Sequence, residues 1–439
     1  MFLSLFLSIG AILTFFSLLV VNAYAAGIAI YEQGVSGLGN AYAGAAASAE
    51  DGSTIFYNPA GLIKLNKPEA SFGAHVIIPN ANFKNTGSIG RNPITNSTYS
   101  LSGNNGGDAG VTAVVPNLYV SMPVDERLVV GLGVNSPFGL QTEYDKNWVG
   151  RYHAIKSKLI TINFNPAVAY RVNSKLSLGL GLNFQWAEAE INNAINPITF
   201  AKFGDFTTQD GFAKLKGDDV SFSWNIGFLY ELSENTRLGV SYRAKMTHQL
   251  KGKIEFENIP TNSTKIFKKD DVKARLNLPP MLSVSGLHKI NKNWTVLADV
   301  TWTGWSRFEE LRIKYDTLVI GDTVITTKWK DCFRYSLGIS YQPNTKWIFR
   351  TGIAYDETPI SSDKHRTPRI PDTDRFWVSF GVGYSYSERL KFDLGYVHIF
   401  FKKSYIDKEP VGEDLLRGGL KGYYRGHVDI ISAQFRYAF

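Results

Sequence analysis

The chain has 439 residues, a formal net charge of +8 and 44% hydrophobic residues, enough for two or three soluble domains or for one large barrel. A mean hydropathy of −0.12 excludes a bundle of membrane helices, and the mild, dispersed positive charge, with no basic run interleaved with aromatics, argues against nucleic acid as a partner. The single cysteine, Cys332, excludes an intrachain disulfide and a cysteine-based metal cluster, while 28 Phe, 22 Tyr and 9 Trp on an averagely apolar chain fit a membrane barrel with aromatic girdles.

In chain order, residues 2–21 form an uncharged apolar run followed by Asn22-Ala23-Tyr24-Ala25. Ala23 and Ala25 make an A-x-A cleavage site, so residues 1–25 read as a secretory signal peptide. The run is long and lacks a preceding Lys or Arg, which leaves two alternatives: an uncleaved membrane helix, or a true start upstream. No later stretch reaches the roughly 20 apolar residues of a spanning helix. Residues 34–62 are rich in small residues and almost free of charge, and residues 26–68 are expected to plug a barrel built by the rest of the chain. Within them, 41–49 is an Ala-rich helix candidate stopped by Asp51-Gly52, and Asn58-Pro59-Ala60 is by itself an ordinary turn starter.

From Glu69 onward the pattern has period two. Leu176, Leu178, Leu180, Leu182, Phe184 and Trp186 alternate with Ser177, Gly179, Gly181, Asn183 and Gln185, and similar faces recur at 222–230, 238–242, 333–341 and 376–386. Such strands fit apolar-out, polar-in membrane barrels, and no fixed period marks a soluble repeat array. Short turns near 123–126, 173–174, 234–235, 291–292, 343–345 and 387–388 alternate with long loops near 80–110, 141–155, 192–217, 257–272, 306–328, 357–374 and 403–423. Six turns and seven loops predict an all-β, about fourteen-stranded antiparallel transmembrane barrel over 69–439, with short turns toward the periplasm.

No catalytic constellation is present: HExxH, G-x-S-x-G and Walker loops are all missing, and the seven His lack metal-ligand spacing. No cofactor and no metal are expected. Gly179 and Gly181 lie inside a strand and read as small lumen-facing residues, not a dinucleotide loop. His398 shares the outward parity of Phe392 and Tyr396. Strand parity points Arg243, Lys245, Arg334 and Arg375 inward, with Asp299 and Asp393. Mutual pairing is the first explanation; contact with a ligand carboxylate is the second. The third strand alternates through Leu128, Val130, Leu132 and Val134 and is then interrupted by Asn135-Ser136-Pro137-Phe138-Gly139, through the missing N–H of Pro137 and the bare Gly139. It either ends early there or breaks its ladder at membrane depth. The 192–217 segment carries Ile198, Phe200, Phe203, Phe206, Phe212 and Leu215, which form either a local mini-core or an exposed apolar patch.

GLGNAYAG, the Asp51-Gly52 turn and Tyr57-Asn58-Pro59-Ala60 together resemble the N-terminal hatch of the FadL-type outer-membrane family, whose members import long-chain fatty acids or other hydrophobic compounds. The resemblance spans the chain and is strongest at 34–62, 135–140, 148–152, 369–381 (RIPDTDRFWVSFG) and the C-terminus, where the strand ending in Phe439 resembles an assembly signal for the barrel assembly machinery. It implies a monomeric channel for passive uptake in the outer membrane. Its third strand kinks inward, so that Ser136, Pro137, Phe138 and Gly139 line a lateral exit near Asn58, and its outer hydrophobic groove maps onto the Phe-rich segment. The expected partners are a hydrophobic ligand and outer-membrane lipid. A general porin, an adhesin and a barrel lipase are the rivals; the first needs no plug, and the last lacks a specified Ser-His pair.

Overall fold

The computed structural model describes residues 27–318 and 321–439; the expected signal peptide lies outside them. Fourteen antiparallel strands close into a barrel. They are β1 (Glu69–Asn85), β2 (Ala113–Pro123), β3 (Leu128–Asn135 and Gly139–Glu143), β4 (Lys156–Arg171), β5 (Leu176–Ile195), β6 (Gly211–Glu231) and β7 (Thr236–Arg243 and Met246–Glu257). β8 (Asp270–Leu278 and Met281–Lys289), β9 (Trp294–Thr303 and Glu310–Tyr315), β10 (Thr323–Thr326 and Cys332–Tyr341), β11 (Trp347–Asp356), β12 (Arg375–Ser385), β13 (Leu390–Phe401 and Ser404–Lys408) and β14 (Leu420–Ala438) complete the ring. Each strand pairs with its sequence neighbours, and β14 closes on β1 from Glu69↔Ala438 to Asn85↔Gly422.

The alternation sorts as its chemistry requires. Along β5, Leu180, Leu182 and Phe184 are exposed while Ser177, Gly179, Asn183 and Gln185 are buried. Aromatics gather beside the short turns: Trp294 stacks on Tyr341 at 4.4 Å, and Trp347 lies 4.5 Å from Tyr384. These pairs form the periplasmic girdle of a barrel whose outer wall meets lipid. His398 is half-buried on that wall, its Nδ1 2.7 Å from Asp429 Oδ1. Several strands run further outward than the alternation suggested. β6 begins at Gly211, so Phe212 is a strand residue, and β9 and β10 extend through 310–315 and 323–326.

Residues 27–65 fill the interior. Three one-turn helices, α1 (Val35–Leu38), α2 (Ala45–Ser48) and α3 (Thr54–Tyr57), and a 3₁₀ turn over Pro59–Lys64 touch strands right round the ring, among them β1, β5, β7, β12 and β14. The expected 41–49 helix is reduced to α2. Ala41, Tyr42 and Ala49 adopt positive φ, because seating Tyr42 in the core overrides the helix propensity of alanine. Inward cations hold this segment by its backbone: Arg334 donates to Ala41 O (2.7 Å), Arg243 to Phe56 O (3.1 Å) and Arg436 to Glu50 O (2.6 Å). The inward charges also pair with one another, Arg350 with Asp393 at 3.0 Å and Arg375 with Asp356 at 2.6 Å. Asp299 is instead held by the hydroxyls of Ser283, Ser285 and Thr301.

Candidate functional site

β3 follows β4 as far as Asn135↔Asn163 and resumes at Gly139↔Ile160. Four steps on one strand match three on the other, so Ser136, Pro137 and Phe138 bulge off the ladder, and all three are buried. Toward β2 the ladder stops at Leu118↔Val134, and the next contact is the isolated bridge Gly110↔Thr142. Between those points the pairing of the wall has a window: no ladder joins β2 to β3 there among the described residues. Thr161 clamps the bulge from β4: its hydroxyl donates to Phe138 O (2.5 Å), and its carbonyl accepts from Ser136 Oγ (2.6 Å).

The bulge's remaining backbone groups are taken up by the N-terminal segment. Ile30 N donates to Pro137 O (2.8 Å), Gly139 N donates to Ile28 O (2.9 Å), and Ala29 faces Phe138. The Gln33 carboxamide continues the edge. Its Nε2 donates to Ser136 O (2.8 Å) and its Oε1 accepts from Ser136 N (3.2 Å), as a neighbouring strand would. A broken ladder at membrane depth needs such partners, and the chain supplies them from inside.

An apolar cavity of about 90 Å³ adjoins this seal, lined by Ile28, Leu140, Leu159, Leu250, Leu276 and Phe308 among others. At roughly 10–15 Å³ per water-sized group, it holds about six to nine such groups as it stands, short of a whole long alkyl chain. A second cavity of about 160 Å³ lies beyond it, with Phe256 and Phe267 in its wall. Arg369 lines both. It donates to Ser157 Oγ (3.0 Å), Lys156 O (3.3 Å) and Asn193 Oδ1 (3.2 Å). No carboxylate of the described residues pairs with it, and burial pushes its pKa down to about 9, with the nearby Arg417 acting in the same direction.

The predicted site residues fall in three places. Ser136, Pro137, Phe138 and Gly139 come together at the window. Asn58, Pro59 and Ala60 do not join them: Asn58 Nδ2 donates to Ala46 O (2.6 Å) and Phe228 O (2.9 Å), on the β6 side of the lumen. These bonds seat the segment against the wall. Arg243, Arg334 and Arg375 point inward but serve the N-terminal segment or Asp356, outside the lining of the apolar cavity. Lys245 is a correction. The Ala244-Lys245 bulge shifts parity by one, so Arg243 and Met246 both face inward and Lys245 is exposed. The Phe-rich segment packs mostly against the neighbouring 256–267 stretch. Phe200, Phe203 and Phe256 pack edge-on around Phe267 at 5.4–5.8 Å, Phe212 is half-buried, and Phe206 stays 87% exposed. Sequence reasoning missed Gln33 and Arg369. Gln33 sits just after the alternating Ile28-Ala29-Ile30, and Arg369 opens the RIPDTDRFWVSFG stretch, but neither feature by itself signals its partner.

Comparison with known proteins fits this geometry. A family model described as outer membrane protein transport protein (OMPP1/FadL/TodX) matches residues 16–439. The chain is 32% identical over 411 residues to a long-chain fatty acid transport protein of Escherichia coli O6:H1, covering 87% of this chain and 89% of that protein. It is 33% identical over 408 residues to a 47 kDa outer membrane protein of Pasteurella multocida, covering 89% and 91%. A Pseudomonas aeruginosa FadL homologue superposes with a TM-score of 0.85 at 25% identity, over 94% of this chain and all of that one. The Pseudomonas putida toluene transporter TodX shares the fold, with a TM-score of 0.66 at 18% identity over 89% and 94% of the two chains. A sealed side window, an interior filled by the N-terminal segment and a family match over nearly the whole length lead to one conclusion: the chain belongs to the OMPP1/FadL/TodX family of outer-membrane transport proteins.

Proposed function

We propose that this chain passes long-chain fatty acids and related hydrophobic molecules from outside the cell into the outer membrane without an energy source, with residues 26–68 as a movable hatch. The observation that carries the reading is the isolated bridge of Ala29 to Phe138, flanked by backbone bonds at Ile28 and Ile30, which covers the interrupted third strand beside an apolar cavity holding a guanidinium with no carboxylate partner among the described residues. The similarity to long-chain fatty acid transport proteins supports the substrate class. Each buried methylene contributes about 0.8 kcal/mol, so an apolar cavity captures an alkyl chain readily and release is the harder step. The cavity is too small for a whole chain while the seal is in place. Arrival of the ligand therefore enlarges it at the expense of the contacts at Ile28 and Phe308, loosening the bridged segment that closes the window. The chain then leaves sideways past Ser136, Pro137, Phe138 and Gly139 into the bilayer without crossing water. The carboxylate is held by Arg369 until the hatch moves.

Ala29 and Phe138 form a non-hydrogen-bonded antiparallel pair, flanked by the two backbone bonds. Their Cα atoms therefore approach to roughly 4.5 Å, within disulfide range. The double variant Ala29→Cys/Phe138→Cys, oxidised in cells, is expected to lower oleate uptake at least tenfold, with recovery on reduction. Unchanged uptake by the fully cross-linked protein overturns the side-exit route.

A further inference from the structure

β8 and β9 pair from Met281↔Thr303 to Lys289↔Thr295, and again from Val272↔Tyr315 to Ala274↔Ile313. Between those ladders Pro279-Pro280 offers no N–H, and residues 304–309 turn through a 3₁₀ element, Trp305–Arg307. The strands part there, leaving a groove of about 730 Å³ on the outer wall. Six cations line it, Lys251, Lys273, Arg275, Arg307, Arg312 and Lys314, against two carboxylates, Glu309 and Glu310. Arg312 is engaged by Glu310 and Asp322, and Lys273 by Asp316. Lys251, Arg275, Arg307 and Lys314 lie within ion-pair distance of no carboxylate among the described residues, with Asp218 the cross-strand neighbour of Lys251. Lys251, Lys273 and Lys314 stand directly opposite one another across three adjacent strands, an arrangement that costs stability unless an anion is shared between them.

The height of the groove is fixed by register. On β6 the lipid-facing run is Phe222, Trp224, Ile226, Phe228 and Tyr230, with Val220 next and Asp218 beyond it. Lys251 pairs with Asp218, and Arg275 with Gln249 one step nearer the apolar band. The cations therefore sit at the outer edge of that band, at the level of lipid head groups. From these observations we propose that the groove is a docking site for an anionic, phosphorylated glycolipid of the outer leaflet. Its phosphates lie between the Lys251–Lys273–Lys314 row and Arg275, and its acyl chains lie along the apolar wall below.

Native mass spectrometry of the full chain in detergent tests this with lipid A, the bisphosphorylated acylated disaccharide, as the probe. The wild-type protein is expected to retain it, with retention falling as salt rises. The Lys251→Gln/Arg275→Gln/Lys314→Gln variant should bind at least tenfold more weakly. A control removing three exposed cations at the opposite rim, Lys175→Gln/Lys292→Gln/Lys346→Gln, should bind like wild type, and heat-modifiable migration on gels reports folding of each. Equal binding by the groove variant overturns the proposal, as does equal binding of lipid A stripped of its phosphates. Displacement of lipid A by 10 mM inorganic phosphate, or by oleate, would assign the groove to free anions or to substrate capture and would likewise overturn it.

Discussion

Gly227 faces inward on β6, where an added Cβ would overlap Asn58 Oδ1; at Gly179 on β5 it would overlap the backbone nitrogen of Ala60. Both glycines let the hatch backbone lie directly on the wall. Gly227→Val therefore expels the Asn58 carboxamide and leaves the buried carbonyls of Ala46 and Phe228 without that donor, at about 1–3 kcal/mol each. The expected outcome is a folded barrel with a loosened hatch, seen as amide exchange over 54–64 accelerated tenfold or more. Arg369 gives a prediction about the ligand. A charge-assisted hydrogen bond contributes about 1.5–3 kcal/mol, so Arg369→Gln should weaken oleate binding about 10- to 100-fold. Binding of an uncharged hydrocarbon of equal length, measured by the same displacement assay, should stay unchanged. Equal losses for both ligands would show that Arg369 shapes the cavity and does not hold the head group.

At the scale of elements, the outer loops carry a buried clasp of titratable groups. Asp414 accepts from Lys408 (3.0 Å) and Arg417 (3.1 Å) and faces His153, whose other nitrogen lies 2.8 Å from Gly418 O. Burial pushes the Asp414 carboxyl up, but His153, Lys408 and Arg417 outweigh it and hold it below the usual range. Burial pushes the His153 pKa down to about 4, with Lys408 and Arg417 acting the same way against Asp414. The folded clasp thus keeps imidazole neutral between pH 6.5 and 4, where an unfolded loop would take up the proton. Stability present above pH 6.5 is lost across that window, on the order of 3 kcal/mol in all. Protease cutting within 403–419 is expected to rise as pH falls from 7 to 4.5, and His153→Gln should flatten that dependence. Such a clasp was illegible in the sequence, because its members come from two loops more than 250 residues apart. The interruption of β3 was legible from Pro137 and Gly139, since a missing donor and a missing side chain are local facts. What seals it was not: Gln33 stands more than 100 residues away, and no local rule pairs a glutamine side chain with a strand edge.

For the whole molecule, alternation predicted the strand number and the sorting of faces, because membrane and lumen impose period two on every strand alike. Parity failed where a bulge reset it, as at Lys245. The inward cations were legible as inward but not by role, since several of their partners are hatch carbonyls that carry no sequence signature. The division of labour between wall and hatch is testable. The β1–β14 ladder closes the ring without any residue of 27–65, and no pair among the wall's ladders uses them. Emptied of the hatch, Arg243, Arg334 and Arg436 would meet water in a wide lumen, where solvation replaces the bonds to Phe56 O, Ala41 O and Glu50 O at little net cost. A chain lacking residues 27–65 but keeping residues 1–26 is therefore expected to insert and stay heat-modifiable. It should also admit small sugars in a liposome-swelling assay at rates the full chain does not approach. A deletion that folds yet swells liposomes no faster would mean that the outer loops close the lumen, and that the hatch seals only the side window.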